Sequence, residues 1–262
     1  AIAVLVRNTL ESEFRRVNPR TARIILLDMA PRVLGTFSEG LSESARNRLQ
    51  ALGVEVRLGH AVEQIDADGV VVGGERIASK TVIWTAGVTP SPAGKWLNVP
   101  TDRAGRVRVQ PDLSVPGHSE IFVVGDTSSL DQDGKPLPGV AQVAMQQGRY
   151  AGDLIHKRVT DGPMRKPFRY FDKGSMAIVG QNFAILQSGK VQLAGFVAWL
   201  AWAGIHLQFL AQSSLRLSVF VQWVWTYITG QRGSRLIVNH YGPDRTKQET
   251  AEAPAQLTSS SR

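Results

Sequence analysis

A short apolar run that ends in glycine and aspartate constrains the fold of this 262-residue chain more than any other stretch. Residues 121–124 are four consecutive β-branched or aromatic side chains, which predict a short strand buried on both faces. Gly125 and Asp126 follow directly. An acid at the carboxyl end of a buried strand lies where open α/β sheets bind ligands, and a glycine there permits close approach to the backbone. A strand followed by an ordinary Asx turn would produce the same local pattern.

The residues that follow the next polar loop predict a helix able to pack closely against a flat partner. Small residues recur there at helical spacing, namely Ala141, Ala144, Gly148 and Ala151. Gln142 and Gln146 lie four residues apart, so both project from one face of the helix. Neutral amides in that position can orient a ligand carbonyl without the cost of burying a charge. A solvated helix face is the alternative explanation for the two glutamines.

The rest of the chain alternates helices and strands as an α/β fold does. Helices are predicted over residues 1–17 and 42–52, the second closed by Gly53 in a left-handed conformation. Strands are predicted over residues 22–28, 54–58, 61–65, 69–72, 81–87 and 107–109, with a hairpin over 176–186. Asp28 ends the first of these strands, where a dinucleotide-binding unit carries its ribose-binding acid, although a turn or helix-cap aspartate would also end there.

Composition excludes several classes of site. The chain has no cysteine, which removes disulfide frameworks, thiolate metal sites and cysteine-based redox relays from this chain. Its formal net charge of +8 favours an anionic partner such as nucleic acid, membrane lipid or a phosphate-bearing cofactor. No basic helix, zinc-ligand spacing or aromatic-basic sheet motif accompanies that charge, so we do not expect nucleic-acid binding.

The carboxyl-terminal part contains a long apolar run without charged residues. Residues 193–211 are almost wholly apolar, and a second apolar stretch over 215–228 carries Trp223 and Trp225. A core helix of a soluble domain, a spanning helix and a pair of interfacial helices are the three interpretations. Tryptophans suit the headgroup level of a bilayer, and arginines suit anionic lipid, so we favour the interfacial pair. His206 is expected to be a hydrogen-bonded interface histidine without metal-ligand partners.

Three co-linear motifs resemble the type II NADH:quinone oxidoreductases, within the two-dinucleotide-domain flavoproteins that include the disulfide reductases. They are Val-Gly-Asp at 124–126, Ala-Gln-x-Ala-x-Gln-Gln-Gly at 141–148, and Asp-Lys-Gly-Ser-Met-Ala at 172–177. The similarity extends from Ala1 to about Val238. It implies an α/β fold: a partial two-dinucleotide-domain flavoprotein with a small antiparallel layer and membrane-associated carboxyl-terminal helices.

The resemblance also implies site residues and two cofactors, FAD and NADH. Asp28 would bind the adenosine ribose of NADH, and the Ala86–Gly87 turn would pass near the nucleotide. The FAD residues would be those of the strand end and the following helix, namely Gly125, Asp126, Ala141 and Gln142. Asp126 would bond the ribitol hydroxyls, while the helix start would face the pyrimidine edge of the ring. Catalytic roles are expected for Gln142 and Gln146, which would orient a quinone carbonyl, and for Lys173, which would stabilise reduced flavin or a quinol anion, although most lysines in such loops are simply solvated.

The same resemblance divides the chain into four regions. We expect the remainder of an NADH-binding domain over 1–90, part of the FAD domain over 91–165, a hairpin and membrane-associating helices over 166–240, and a disordered tail over 241–262. In the resembled proteins a Gly-x-Gly-x-x-Gly loop and an FAD-binding segment precede the position of Ala1. We therefore expect the chain to be the carboxyl-terminal portion of a longer protein and to be inactive by itself.

The predicted function is FAD-dependent, non-pumping electron transfer from NADH to a membrane quinone. Its partners would be quinone and an anionic membrane surface. Attachment would be peripheral or monotopic, on the cytoplasmic face of the cell membrane or of an equivalent respiratory membrane, and a homodimer is left open. A soluble flavoprotein reductase of another electron carrier is one alternative. A non-catalytic membrane-attached remnant is the other.

Overall fold

The computed structural model describes residues 2–9, 18–163, 166–209 and 213–229, and the chain divides into two compact units, Ala1–Phe209 and Leu210–Arg262. The first elements of unit one are α1 (Ile2–Val4), β1 (Ile24–Asp28), α2 (Glu39–Ala51) and β2 (Val54–Leu58). A π-helical turn, Leu5–Thr9, follows α1. The helix predicted over 1–17 is therefore helical as far as the chain is described, and its remainder lies outside the described residues.

Strands β1 and β2 are parallel and pair residue for residue, from Ile24 with Val54 to Asp28 with Leu58. Helix α2 starts three residues earlier than predicted and ends at Ala51. Gly53 follows with a φ of +72° and donates its N–H to the Gln50 carbonyl (2.7 Å), which confirms the left-handed cap. This strand–helix–strand unit places the carboxyl ends of both strands at one edge.

The predicted antiparallel layer is present and has one strand more than predicted. It consists of β3 (Val62–Asp66), β4 (Gly69–Val72) and β5 (Glu75–Ala78). Gly73 and Gly74, both at positive φ, form the turn that admits β5. Arg76 donates two hydrogen bonds to the Asp66 carboxylate (2.8 and 2.9 Å), which lowers the pKa of Asp66 to about 2. The apolar face of the layer packs on Ile25 and Leu27 of β1.

The strand predicted over 81–87 is wrong. These residues form no regular structure, and the apolar side chains are exposed, with Ile83 at 60% and Trp84 at 63%. A strand requires a hydrogen-bonded neighbour and a packed face, and no described strand pairs with this segment. Ala86 and Gly87 therefore lie in an exposed, irregular connection.

The middle of the chain consists of short elements and one long helix around small apolar clusters. They are α3 (Ala93–Leu97), β6 (Val107–Arg108), β7 (Ser114–Val115), β8 (His118–Phe122), β9 (Ser128–Ser129), β10 (Asp131–Gln132), β11 (Lys135–Pro136) and α4 (Ala141–Val159). Strand β8 ends earlier than predicted and pairs only with β7 among the described strands. Val123 is buried, but Ile121 and Phe122 are only half-buried and Val124 is exposed. The prediction of a run buried on both faces is therefore wrong, since a two-stranded sheet offers no second layer.

The last part of unit one is a three-stranded antiparallel sheet followed by a helix. It contains β12 (Ser175–Ile178), β13 (Ala184–Ser188), β14 (Val191–Gly195) and α5 (Phe196–Phe209). The hairpin prediction is confirmed, but Leu193 belongs to β14, so the helix begins later than the apolar run does. The core of α2 continues into this sheet through Leu41, Ala45 and Ile185.

Unit two contributes one described helix, α6 (Ser213–Thr229), which contains the second apolar stretch. Among the helices of the described residues, none combines the length and apolarity needed to cross a membrane. The predicted tail over 241–262 lies outside the described residues.

Candidate active site

The turn after β8 and the start of α4 form the centre of the site. Residues Gly125–Thr127 make a single 3-10 turn, and Gly125 has a φ of +69°. A Cβ on Gly125 would lie 3.2 Å from the Cβ of Ala144, so only glycine combines this backbone conformation with this packing distance. The prediction of a helix with small residues at a close contact is confirmed at Ala144.

Gln147, which was not among the predicted site residues, locks the turn to the helix. Its side chain is only 1% exposed, and its Oε1 accepts hydrogen bonds from the Gly125 N–H (2.7 Å) and the Ser128 hydroxyl (3.0 Å). The sequence carried one signal for it. Gln147 lies on the apolar stripe of α4 that contains Val143, Ala151 and other buried residues, where a polar side chain needs a partner.

Asp126 and the first turn of α4 form a polar cradle. The Asp126 carboxylate is exposed, accepts no hydrogen bond from the described residues, and lies where a Cβ on Gly139 would be 3.8 Å from its Oδ1. Helix α4 starts at Ala141 after Val140, which provides no side-chain cap. A hydrogen-bond acceptor beside an uncapped helix amino terminus fits a ligand with hydroxyls and a partially negative edge, as FAD has.

Gln142 and Gln146 do not lie on a solvated face. They bind the backbone of residues 169–174, which we call the strap. Gln146 donates to the Phe171 carbonyl (2.9 Å) and accepts from the Phe171 N–H (3.0 Å). Gln142 donates to the Gly174 carbonyl (2.8 Å) and accepts from the Lys173 N–H (3.4 Å). The two amides thus replace a neighbouring strand for a segment without regular structure.

Lys173 lies at the carboxyl end of the strap with its backbone and ammonium both held. The Ser188 hydroxyl donates to the Lys173 carbonyl (3.2 Å), and the Lys173 Nζ lies 5.4 Å from the ring centroid of Phe209 in α5. Nearby, burial and the Asp172 carboxylate raise the pKa of the Tyr170 hydroxyl. The structure therefore brings Lys173, Gln142 and Gln146 together around the strap.

The residues predicted for NADH lie apart from this group. Asp28 ends β1, and its Oδ1 accepts from the Ala30 N–H (2.9 Å), which is a turn contact. Among the described residues, no hydrogen bond or ion pair joins Asp28 to α4 or the strap. Gly87 has a φ of +107°, and the segment that continues from it reaches the Asp126 turn through Ser91, whose hydroxyl lies 3.3 Å from that of Thr127.

An open groove of about 720 Å³ runs along α4 between Gln146 and Lys157. Its lining is mainly basic and aromatic, with Arg149, Lys157, Lys166, Tyr150 and Phe168 among the residues. Gln146 and Arg169 also line the groove, so it borders the strap, whereas Asp126 and Lys173 are not among its lining residues. Within the described part of the chain, no group of His, Asp or Glu side chains is arranged to hold a metal ion.

Comparison with known proteins gives one family and a consistent set of relatives. Residues 12–148 match the family model described as pyridine nucleotide-disulphide oxidoreductase. Two relatives from Mycobacterium tuberculosis are named type II NADH:quinone oxidoreductase Ndh and NdhA. Ndh is 39% identical and matches 99% of this chain and 58% of its own length, and NdhA is 40% identical and matches 97% and 56%. The chain thus spans somewhat more than half the length of these relatives.

Among solved structures, NDH2 from Plasmodium falciparum in complex with NADH has a similar fold. The TM-score is 0.79 at 14% sequence identity, over 89% of this chain and 63% of that one. The similarity confirms the α/β architecture of the described residues.

Proposed function

The chain belongs to the pyridine nucleotide-disulphide oxidoreductase family, and from this premise we propose that the protein containing it transfers electrons from NADH to a membrane quinone with FAD as cofactor. The observation that carries the proposal is the cradle of Asp126 beside the uncapped start of α4, held to the strand end by Gly125 and Gln147. FAD, when bound, supplies the two-electron chemistry, accepting hydride from NADH and passing both electrons to quinone. Hydride transfer to the flavin would require no acid–base residue, whereas reduction of quinone to quinol would also consume one proton from solvent.

On the FAD side, the proposed work of the chain is binding and electrostatics. Asp126 accepts hydrogen bonds from ligand hydroxyls, since no described residue already donates to it. The N–H groups at Ala141 and Gln142 stabilise negative charge at the helix start, which is where a macrodipole is most positive. Gly125 brings the turn against Ala144 and so leaves the space in front of Asp126 to the ligand.

On the quinone side, the strap is the proposed recognition element. Each glutamine Nε2 has a second hydrogen beyond the one donated to the strap, so Gln142 and Gln146 can hold the strap and still orient a quinone carbonyl. Lys173 provides the cation that stabilises negative charge on the reduced product. On the NADH side, we propose that Asp28 binds ribose hydroxyls and that Ala86 and Gly87 line the passage of the nucleotide.

Peripheral attachment to the cytoplasmic face of the cell membrane completes the proposal. Helix α5 carries no Asp, Glu, Lys or Arg. Its apolar side chains Val197 and Leu200 are 62% and 50% exposed. Such a surface suits the interface of a bilayer, which is also where a quinone is dissolved. His206 contacts the Trp202 carbonyl through its Nδ1 (3.0 Å), as an interfacial hydrogen-bonded histidine would.

The proposal is tested by the flavin content of the natural polypeptide that contains this sequence. We expect that polypeptide to purify with FAD and to reduce a short-chain quinone with NADH. Asp126→Ala removes the acceptor for ligand hydroxyls, and we expect FAD binding to weaken by about tenfold to a hundredfold, as loss of hydrogen bonds to a charged group predicts. Flavin absorbance per protein measures the FAD content, and titration with FAD measures the FAD affinity.

Asp161→Asn is the matched control. Asp161 is an exposed aspartate just beyond α4 with a φ of +51°, a conformation that asparagine also adopts. It should retain the FAD affinity of the parent. A colourless parent protein, or an Asp126→Ala variant with undiminished FAD affinity, would overturn the proposed function.

A further inference from the structure

The strap is held by three glutamine amides, of which only two lie on α4. Gln132 makes the third contact: it accepts from the Tyr170 N–H (2.7 Å) and donates to the Tyr170 carbonyl (3.2 Å). Gln146 and Gln142 then bind the backbone at Phe171 and at Lys173–Gly174. The backbone polar groups of a segment with no strand neighbour are thus satisfied in succession by side chains.

Gln132 lies in the hairpin formed by β10 and β11, and the neighbouring Asp133 adds a second contact from the same hairpin. The Arg169 Nη2 lies 3.1 and 3.0 Å from the two carboxylate oxygens of Asp133. The hairpin turns through Asp133 and Gly134, both at positive φ (54° and 76°), which fits a two-residue turn of this type.

The hairpin is fixed in place because the residues on either side of it pack into a core cluster. Leu130 is buried on one side of the hairpin, and Leu137, on the other side, packs against the same cluster as Tyr150. The Leu137 N–H also donates to the Leu130 carbonyl (2.9 Å). Loss of the Gln132 amide therefore releases the strap without removing the hairpin's own support.

We call Gln132 and Asp133 the latch. We propose that the latch positions Lys173 for the reaction with quinone, a proposal that rests on the proposed function. The latch fixes the start of the strap, and the α4 glutamines fix its middle and end. Lys173 follows the latched Tyr170 by three residues. Freedom at Tyr170 is therefore transmitted along an irregular segment whose other backbone contacts come from side chains, namely the two α4 amides and the Ser188 hydroxyl. Quinone affinity then depends on a hairpin that carries none of the residues proposed to meet the ligand.

The test compares latch variants in the natural polypeptide. Gln132→Met keeps side-chain length and loses both hydrogen bonds. We expect it to raise KM for a short-chain quinone about fivefold to tenfold, as two lost hydrogen bonds predict, with KM for NADH and FAD content unchanged. Gln132→Glu keeps the acceptor for the Tyr170 N–H and should be intermediate. Asp133→Asn should change the quinone KM about twofold or less, because the ion pair with Arg169 is exposed.

Lys135→Gln is the control in the same hairpin, since Lys135 is exposed and forms no hydrogen bond or ion pair with the described residues. It should behave as the parent does. Hydrogen exchange of a peptide spanning the strap provides a readout independent of activity, and it should accelerate in Gln132→Met and not in Lys135→Gln.

The results distinguish failure of the latch proposal from failure of the proposed function. Faster strap exchange with a raised quinone KM supports the latch. Faster exchange with an unchanged quinone KM, or no change in either, overturns it while leaving the proposed function intact. A parent protein that binds FAD and oxidises NADH but does not reduce quinone overturns the quinone part of both proposals, and a parent without FAD overturns the proposed function itself.

Discussion

Buried amides carry the polar contacts that connect the strand end to α4. Gln147 is enclosed by an apolar helix face, yet its Oε1 is the acceptor for the Gly125 N–H. The Ser128 hydroxyl lies equally close to Gln147 and to the Gly125 carbonyl, at 3.0 Å from each. If Gln147 is lost, the serine can still donate to the carbonyl, whereas the Gly125 N–H has no second acceptor among the described contacts.

Gln147→Leu is therefore expected to destabilise the protein by about 1–3 kcal/mol, the cost of one unsatisfied buried donor. Urea denaturation of the natural polypeptide measures the change, and FAD content should fall with it because the Asp126 turn loses its support. Met145→Leu, on an exposed position of the same helix, should stay within about 0.5 kcal/mol of the parent. Equal stability of Gln147→Leu and parent would contradict the assigned hydrogen bond.

Among the elements, α5 has a surface that its own sheet does not cover. Ala198 is fully buried in the packing of α5 against β13 and β14, while Val197 and Leu200 are largely exposed. Phe196 and Trp199 stack at a ring-centroid distance of 5.6 Å, and α5 contains no charged side chain that would favour water. An element of this kind gains by entering a lipid interface.

Leu200→Glu is expected to weaken binding to anionic liposomes by at least about tenfold, because it removes the contact of the leucine with the acyl chains and places a charge there. Cosedimentation with liposomes that contain anionic phospholipid measures the fraction of protein bound to the membrane. Val159→Glu places the same charge on an exposed apolar position at the end of α4 and should bind as the parent does. Indistinguishable partition of Leu200→Glu and parent would remove α5 from the membrane surface.

At the scale of the Ala1–Phe209 unit, one core joins segments that are far apart in sequence. Val33, Leu41 and Ala45 share a cluster with Val179 and Ile185. Polar contacts accompany it: the Ser38 N–H donates to Gln187 (2.8 Å), and Arg48 donates to the Gln181 carbonyl (2.8 Å). The α2 region and the β12–β14 sheet should therefore unfold together.

Ile185→Ala should destabilise the unit by about 2–5 kcal/mol and accelerate amide exchange in α2, not only in the sheet, since the cavity opens into the shared core. Hydrogen exchange measured by mass spectrometry resolves the two regions. Ile178→Ala, at a partly exposed position in the neighbouring strand, should change α2 exchange much less. Unaltered α2 exchange in Ile185→Ala would mean that the two regions open independently.

The sequence by itself was sufficient for local features whose cause is local. Gly53 as a helix cap, the turn at 66–69, and α4 with its small residues depend on neighbouring residues and on helical or strand spacing, and all are present. The family resemblance also came from contiguous motifs, and the comparisons confirm it. The role of Asp126 in FAD binding and that of Lys173 toward quinone remain proposals that the flavin and quinone experiments address. The roles of Asp28, Ala86 and Gly87 toward NADH also remain proposals.

Only the tertiary structure decided which residues meet across long stretches of chain. Residues 81–87 have a strand-like composition, but no described strand pairs with them, so they are irregular and exposed. Gln132 and Tyr170 are 38 residues apart, and no local pattern records that their polar groups satisfy one another. A strand or an amide contact forms only when its hydrogen-bond partner is brought alongside. That partner is supplied by the packing of the whole unit, and local sequence patterns do not encode it.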